Sequence, residues 1–179
     1  MKTLTLLRHA KSGWDDTVAR DFDRPLNAKG RKAAQAIGRH LRDEKLAFDH
    51  IVASPAQRVV ETIDDVARGY GSAIAPAWDK RLYLASAQTL MDVARETPAD
   101  AARLLMIGHN PGLEDFVLLL LGGGDSALVR AAEAKYPTAT VAALEFAVDD
   151  WAGIAAGAGT LVRFVRPRDL DPTLGPDTD

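Results

Sequence analysis

Two hydrophobic rhythms alternate along this chain. Short unbroken apolar runs suit buried strands, and longer stretches repeat apolar residues every three or four positions, as one helix face does. Thr3 to Leu7, β-branched and leucine-rich, predicts a central strand. Asn27 then predicts a helix N-cap. The helix is carried by Ala33, Ala34, Ile37, Leu41 and the later Leu46, with Arg31, Lys32, Arg39, Arg42 and Glu44 on its polar face. A second strand is expected near His50 to Ala53. Ser54-Pro55 reads as a cap and first-turn proline opening a helix with Val59, Val60, Ile63 and Val66, which Gly69 and Gly71 would end.

Ala73 to Trp78 predicts a weaker, short strand, and Ala87 to Thr97 a helix that stops before Pro98. Arg103 to Gly108 is the clearest buried strand after the first. Gly112 to Leu121 is an apolar helix closed by Gly122-Gly123-Gly124, and Asp125 to Thr138 is a less regular stretch with room for one helix. Val141 to Val148 and Thr160 to Val165 predict a last pair of strands joined across the glycine-rich Ala152–Gly159 segment. Strands alternating with helices indicate an α/β fold, a three-layer sandwich. Its central sheet would be mostly parallel with an antiparallel edge strand, and helices would cover both faces. Nothing divides the chain, so residues 1–168 are expected to form a single domain, with 169–179, rich in Pro, Gly and Asp, as a flexible tail.

Composition narrows the chemistry. The chain has 179 residues, 47% hydrophobic and 26% charged, an ordinary globular balance. A net charge of −3 leaves no general footprint for nucleic acid or an anionic membrane. The absence of cysteine excludes disulfides, thiolate nucleophiles and Cys-based zinc sites. No apolar stretch has the length of a membrane span, and Arg8, His9 and Lys11 cut short the one run that resembles a signal peptide. A soluble, cytoplasmic, monomeric protein is expected.

Three polar clusters stand where strands give way to the next element: Arg8-His9 with Lys11 and Ser12; Ser54-Pro55 followed by Arg58 and Thr62; and Gly108-His109-Asn110-Pro111. In a parallel α/β sheet the carboxyl ends of the strands share one edge, where ligands bind. The topology would therefore deliver two arginines and two histidines to one rim, as a cage for an anion. Each residue also has a plainer reading. Arg58 could be a solvated residue on an amphipathic helix, and His109 a turn histidine bonded to nearby backbone. The histidines could bind a metal, but no third ligand stands at zinc spacing and the arginines would repel a cation. Lys11 and Ser12 suit either substrate contact or simple exposure. Arg24, on the loop before the first helix, lies within possible reach of the pocket. His40 and His50 read as ordinary surface or helix-end histidines, and Trp14, Trp78 and Trp151 as packing residues.

The three clusters, in this order, resemble the histidine phosphatase superfamily, whose fold is phosphoglycerate-mutase-like. The short length and the Asp23-Arg24-Pro25-Leu26 segment followed by Gly30 are most similar to its short phosphohistidine phosphatase (SixA-type) branch. The resemblance implies that His9 is the nucleophile and passes through a phosphohistidine. It implies that Arg8 and Arg58 clamp the phosphoryl oxygens and that His109, in its protonated form, adds a donor. It implies no cofactor and no metal. Many superfamily members carry a glutamate, as Leu-x-Glu, that protonates the leaving oxygen; the best match here is Leu82-Tyr83-Leu84. An alkoxide needs that acid more than an imidazole does, so its absence favours a phosphoramidate substrate. Asp15, Asp16, Asp23, Asp79, Glu114 or Tyr83 could still supply a proton.

The expected partner is therefore a protein carrying phosphohistidine. A small-molecule phosphomonoester phosphatase and a phosphate-binding module without turnover are the alternatives. The Asp125 to Thr138 segment is expected to flank the pocket.

Overall fold

The computed structural model describes residues 1–14 and 18–175. In chain order it contains β1 (Lys2–Arg8), α1 (Ala28–Asp43), β2 (His50–Ala53), α2 (Gln57–Tyr70), β3 (Ala77–Trp78), α3 (Ala87–Arg95), β4 (Arg103–Gly108), α4 (Gly112–Leu120), β5 (Leu121–Gly124), α5 (Ser126–Ala134), β6 (Val141–Phe146), β7 (Gly159–Val165) and α6 (Pro167–Leu170). The seven strands form one sheet in the order β3-β2-β4-β1-β6-β7-β5. β6 is antiparallel to both its neighbours, β1 and β7, while the other pairings are parallel. The antiparallel strand thus sits inside the sheet, and the rim strand β5 runs parallel to β7.

Strand alternation divides the core between the two faces. Leu7, Leu105 and Ile107 pack with Ile37 and Leu41 of α1 and Val59, Ile63 and Val66 of α2. Leu4, Leu6, Leu104 and Met106 pack with Leu90, Leu113, Phe116 and Leu120 on the other side. Three layers result. The Asn27 cap is formed, its side-chain oxygen accepting from Gly30 N.

The two helices on the first face touch backbone to backbone. A Cβ at Gly38 would lie 2.1 Å from Val66 O, and one at Gly69 2.1 Å from Gln35 O. Gly69 therefore lies within α2 as a contact residue, and the helix stops instead at Gly71, where φ is 87°. Alanine at Gly38 would gain about 1 kcal/mol of helix propensity but cost roughly 3 kcal/mol in forced separation, because a carbonyl cannot yield as a side chain does. Gly38→Ala is expected to destabilise the protein by about 2 kcal/mol, read as a lower urea midpoint at unchanged slope.

Other boundaries shift for local reasons. Only Ala77–Trp78 of the expected 73–78 strand pairs, and α3 ends two residues before Thr97. Gly122 to Gly124, read as a helix stop, belong to β5: glycine carries no β signal, and only pairing with β7 reveals the strand. β6 ends at Phe146 and β7 begins at Gly159. Trp151 is buried and its indole N–H donates to Ala101 O at 2.6 Å. Trp14 and Trp78 are exposed, not packed. In the 169–179 stretch expected to be flexible, α6 leads into a 3-10 turn, Pro172–Leu174, and Leu174 packs on the α1–α2 core; 176–179 lie outside the described residues.

Candidate active site

β2, β4 and β1 are adjacent and parallel, so all three end at one edge. There β1 hands on to His9, β2 to Ser54 and β4 to His109, while Arg58 stands in the first turn of α2. The edge opens into a hollow of about 480 Å³. Arg8, His9 and Arg58 line it, and His109 packs directly behind, its ring centroid 5.2 Å from that of His9.

His9 is buried, and its Nδ1 lies 2.7 Å from the Ala10 carbonyl. A carbonyl accepts only, so the ring proton sits on Nδ1 and Nε2 keeps its lone pair. Arg58 Nε donates toward that lone pair at 3.4 Å. Thr62 of α2 fixes the loop: its hydroxyl accepts from Ala10 N at 2.9 Å and donates to Arg58 O at 2.7 Å. Burial presses the His9 pKa well below 6.5, and His109, Arg8 and Arg58 push it the same way against the Ala10 hydrogen bond.

Arg58 is held by Asp21, a residue the sequence reading did not single out. Its two terminal nitrogens donate to the Asp21 carbonyl at 2.8 Å and to Asp21 Oδ2 at 3.0 Å. Tyr83 donates its hydroxyl to the same Oδ2 at 2.7 Å, and Arg24 Nε donates to Oδ1 at 2.9 Å. Burial opposes ionisation of Asp21, but these donors and the Arg58 charge prevail and bring its pKa down to about 2. Arg24 does reach the hollow, bonds Ser12 Oγ at 2.9 Å and stacks over the exposed Trp14 ring at 4.6 Å. Lys11 lines a different, basic hollow with Lys29, Arg166 and Arg168.

Arg8 donates to the Tyr136 carbonyl at 3.0 Å, and Asn110 Nδ2 donates to the same oxygen at 3.0 Å. Tyr136 is anchored by its hydroxyl to Leu6 O at 2.7 Å. The 125–138 segment therefore braces the site from beneath. No spacing rule could have shown this, because the brace is a backbone carbonyl.

Ser54 is not the cap of α2, which begins three residues later. Its Oγ lies 2.8 Å from His109 Nε2 and accepts from Ala56 N at 3.3 Å. His109 Nδ1 is a buried atom with no partner among the described residues. Burial, then Arg58, bring the His109 pKa down to about 3. At that value the ring is neutral near pH 7, and a neutral imidazole keeps one N–H.

The proposed proton donors separate clearly. Asp23 pairs with Arg20 and Asp79 with Arg81, outside the hollow; Glu114 does not line it either. Asp15 and Asp16 lie outside the described residues. Tyr83 lines the hollow, and so does Leu84, 64% exposed with a φ of 53°. Leucine occupies the position where a Leu-x-Glu acid would stand.

Two buried histidines with depressed pKa values link stability to pH. Below about pH 6.5 the unfolded chain takes up protons that the folded site refuses. Stability contributed by the neutral rings is present above 6.5 and lost as pH falls below it, by about 1.4 kcal/mol per histidine per pH unit. Urea unfolding at pH 7 and pH 5.5 is expected to show the protein weaker at the lower pH.

Residues 4–83 match the family described as histidine phosphatase superfamily (branch 1). An uncharacterized protein of Mycobacterium tuberculosis is 33% identical over 165 residues, spanning 90% of this chain and all of that one. A candidate phosphohistidine phosphatase SixA from Nakamurella multipartitia is 30% identical, with a TM-score of 0.77 over 93% of this chain and 96% of its own. The protein histidine phosphatase SixA complexed with tungstate shares the fold at a TM-score of 0.70 and 19% identity, over 94% of this chain and 99% of its own. The fold is phosphoglycerate-mutase-like, and the chain belongs to the histidine phosphatase superfamily, in its SixA-type branch.

Proposed function

We propose that this protein is a phosphatase that takes a phosphoryl group onto His9 and releases it to water, acting on phosphohistidine carried by a partner protein. The observation that carries the reading is the His9 ring. It is neutral, has its Nδ1 proton committed to Ala10 O, and presents Nε2 beside Arg58 in the hollow. Such a nitrogen attacks phosphorus without prior deprotonation. The P–Nε2 bond forms as the bond to the leaving group breaks; water then bonds to phosphorus as the P–Nε2 bond breaks, its electron pair returning to His9 and phosphate leaving with the water's oxygen. Arg8 and Arg58 hold the equatorial oxygens, and the His109 N–H adds a donor. Every part of this scheme is supplied by side chains of the chain itself, so turnover is expected to persist in chelator. Vanadate and tungstate, as mimics of the transferring group, are expected to inhibit.

Leu84 in place of an acid favours a leaving group that departs without a delivered proton, and imidazole meets that requirement. A phosphotransfer protein phosphorylated on histidine, followed by mass spectrometry before and after treatment in chelator, tests the reading against an alkyl phosphate monoester. Loss of phosphate from histidine with little hydrolysis of the ester is expected. Equal rates would favour a small-molecule phosphatase.

A further inference from the structure

Asp21 is an anion placed in a site built to attract anions. Three arginines, Arg8, Arg24 and Arg58, line the hollow, and among the described residues Asp21 is the carboxylate that lines it with them. Its partners, already described, leave the side chain 38% exposed. A carboxylate here weakens the attraction for phosphate, and held as firmly ionised as it is, it cannot serve as the missing acid. Its position gives it a different use. In an in-line transfer the leaving group departs on the side of phosphorus away from His9, within the same hollow that Asp21, Tyr83 and Leu84 line.

We propose, resting on the reading above, that the Asp21 carboxylate selects the leaving group by accepting the N–H of a protonated substrate imidazole and repelling leaving groups that depart as anions. The chemistry balances without an acid. A phosphohistidine ring protonated on its unphosphorylated nitrogen enters as a cation. His9 Nε2 forms its bond to phosphorus, the P–N bond of the substrate breaks, and its electron pair returns to the ring, which leaves as neutral imidazole. The proton that a general acid would deliver is already on the far nitrogen, and Asp21 favours that protonated form. A phenoxide or alkoxide gains negative charge as it departs, and the same carboxylate opposes it. A substrate with a carboxylate next to its phosphate meets the same repulsion.

The test is a ratio: kcat/KM on a phosphohistidine peptide divided by kcat/KM on para-nitrophenyl phosphate, for wild type, Asp21→Asn and Asp21→Ser. Loss of a charged hydrogen bond to the imidazolium, with relief of repulsion on the phenoxide, is expected to lower the ratio about tenfold or more in either variant. If Asp21 merely positioned Arg58, both substrates would lose activity together. An unchanged ratio therefore overturns the assignment, whatever the absolute rates. Wild type that cleaves the aryl ester but not the phosphohistidine peptide would instead overturn the reading on which the assignment rests.

Discussion

His9→Ala is expected to reduce turnover of a phosphohistidine peptide by about 10³-fold or more and to abolish phosphoenzyme formation. Alanine leaves the hollow without a nucleophile. The nearest candidates to replace it fail on chemistry: Asp21 is tied to three donors, and His109 has its Nε2 bonded to Ser54. The backbone at position 9 keeps its bond to Gly108 O, so the fold is expected to survive. A second readout separates loss of chemistry from loss of structure. With the His9 ring gone, the fall in stability between pH 7 and pH 5.5 should shrink, leaving the share carried by His109 and His40. Steady-state rates and paired urea curves check both outcomes. Retained turnover in the variant would remove His9 from the mechanism.

Arg58→Ala is expected to lower kcat by about 10²- to 10³-fold and also to raise KM. The first effect follows from removing a preorganised cation beside Nε2. The second comes from Asp21, which would lose a partner and face an incoming dianion with less compensation. Lysine should rescue poorly, because one ammonium cannot span His9 Nε2 and both Asp21 acceptors as the guanidinium does. A loss of less than about threefold in kcat, measured at saturating substrate, would show that Arg58 only supports the fold.

Much of this site could be read before any coordinates because it obeys a topological rule. Strands that end in Arg8-His9, Ala53-Ser54 and Gly108-His109 must share an edge if they are parallel, and they are. The α/β sandwich itself followed from apolar periodicity. What escaped the sequence was whatever depends on a partner remote in the chain. β5 is visible only through its pairing with β7. Gly69 looks like a helix stop until α1 is laid against it. Ser54 looks like a cap because Ser-Pro commonly is one, and its bond to His109 spans 55 positions. Asp21 was hidden in an acidic stretch where Asp15, Asp16 and Asp23 drew equal attention, and nothing in spacing marks the one that meets Arg58 and Tyr83. The Tyr136 carbonyl that braces Arg8 and Asn110 has no signature in sequence.

The claim on which the rest depends is that the neutral Nε2 of His9 carries the phosphoryl group during turnover. Rapid mixing with substrate, an alkaline quench and peptide mapping by mass spectrometry test it directly. The expected result is a single acid-labile phosphate on the peptide containing Arg8 and His9, attached at Nε2 and absent from His9→Ala. Product formation with no such adduct, or with the phosphate on His109, would contradict it.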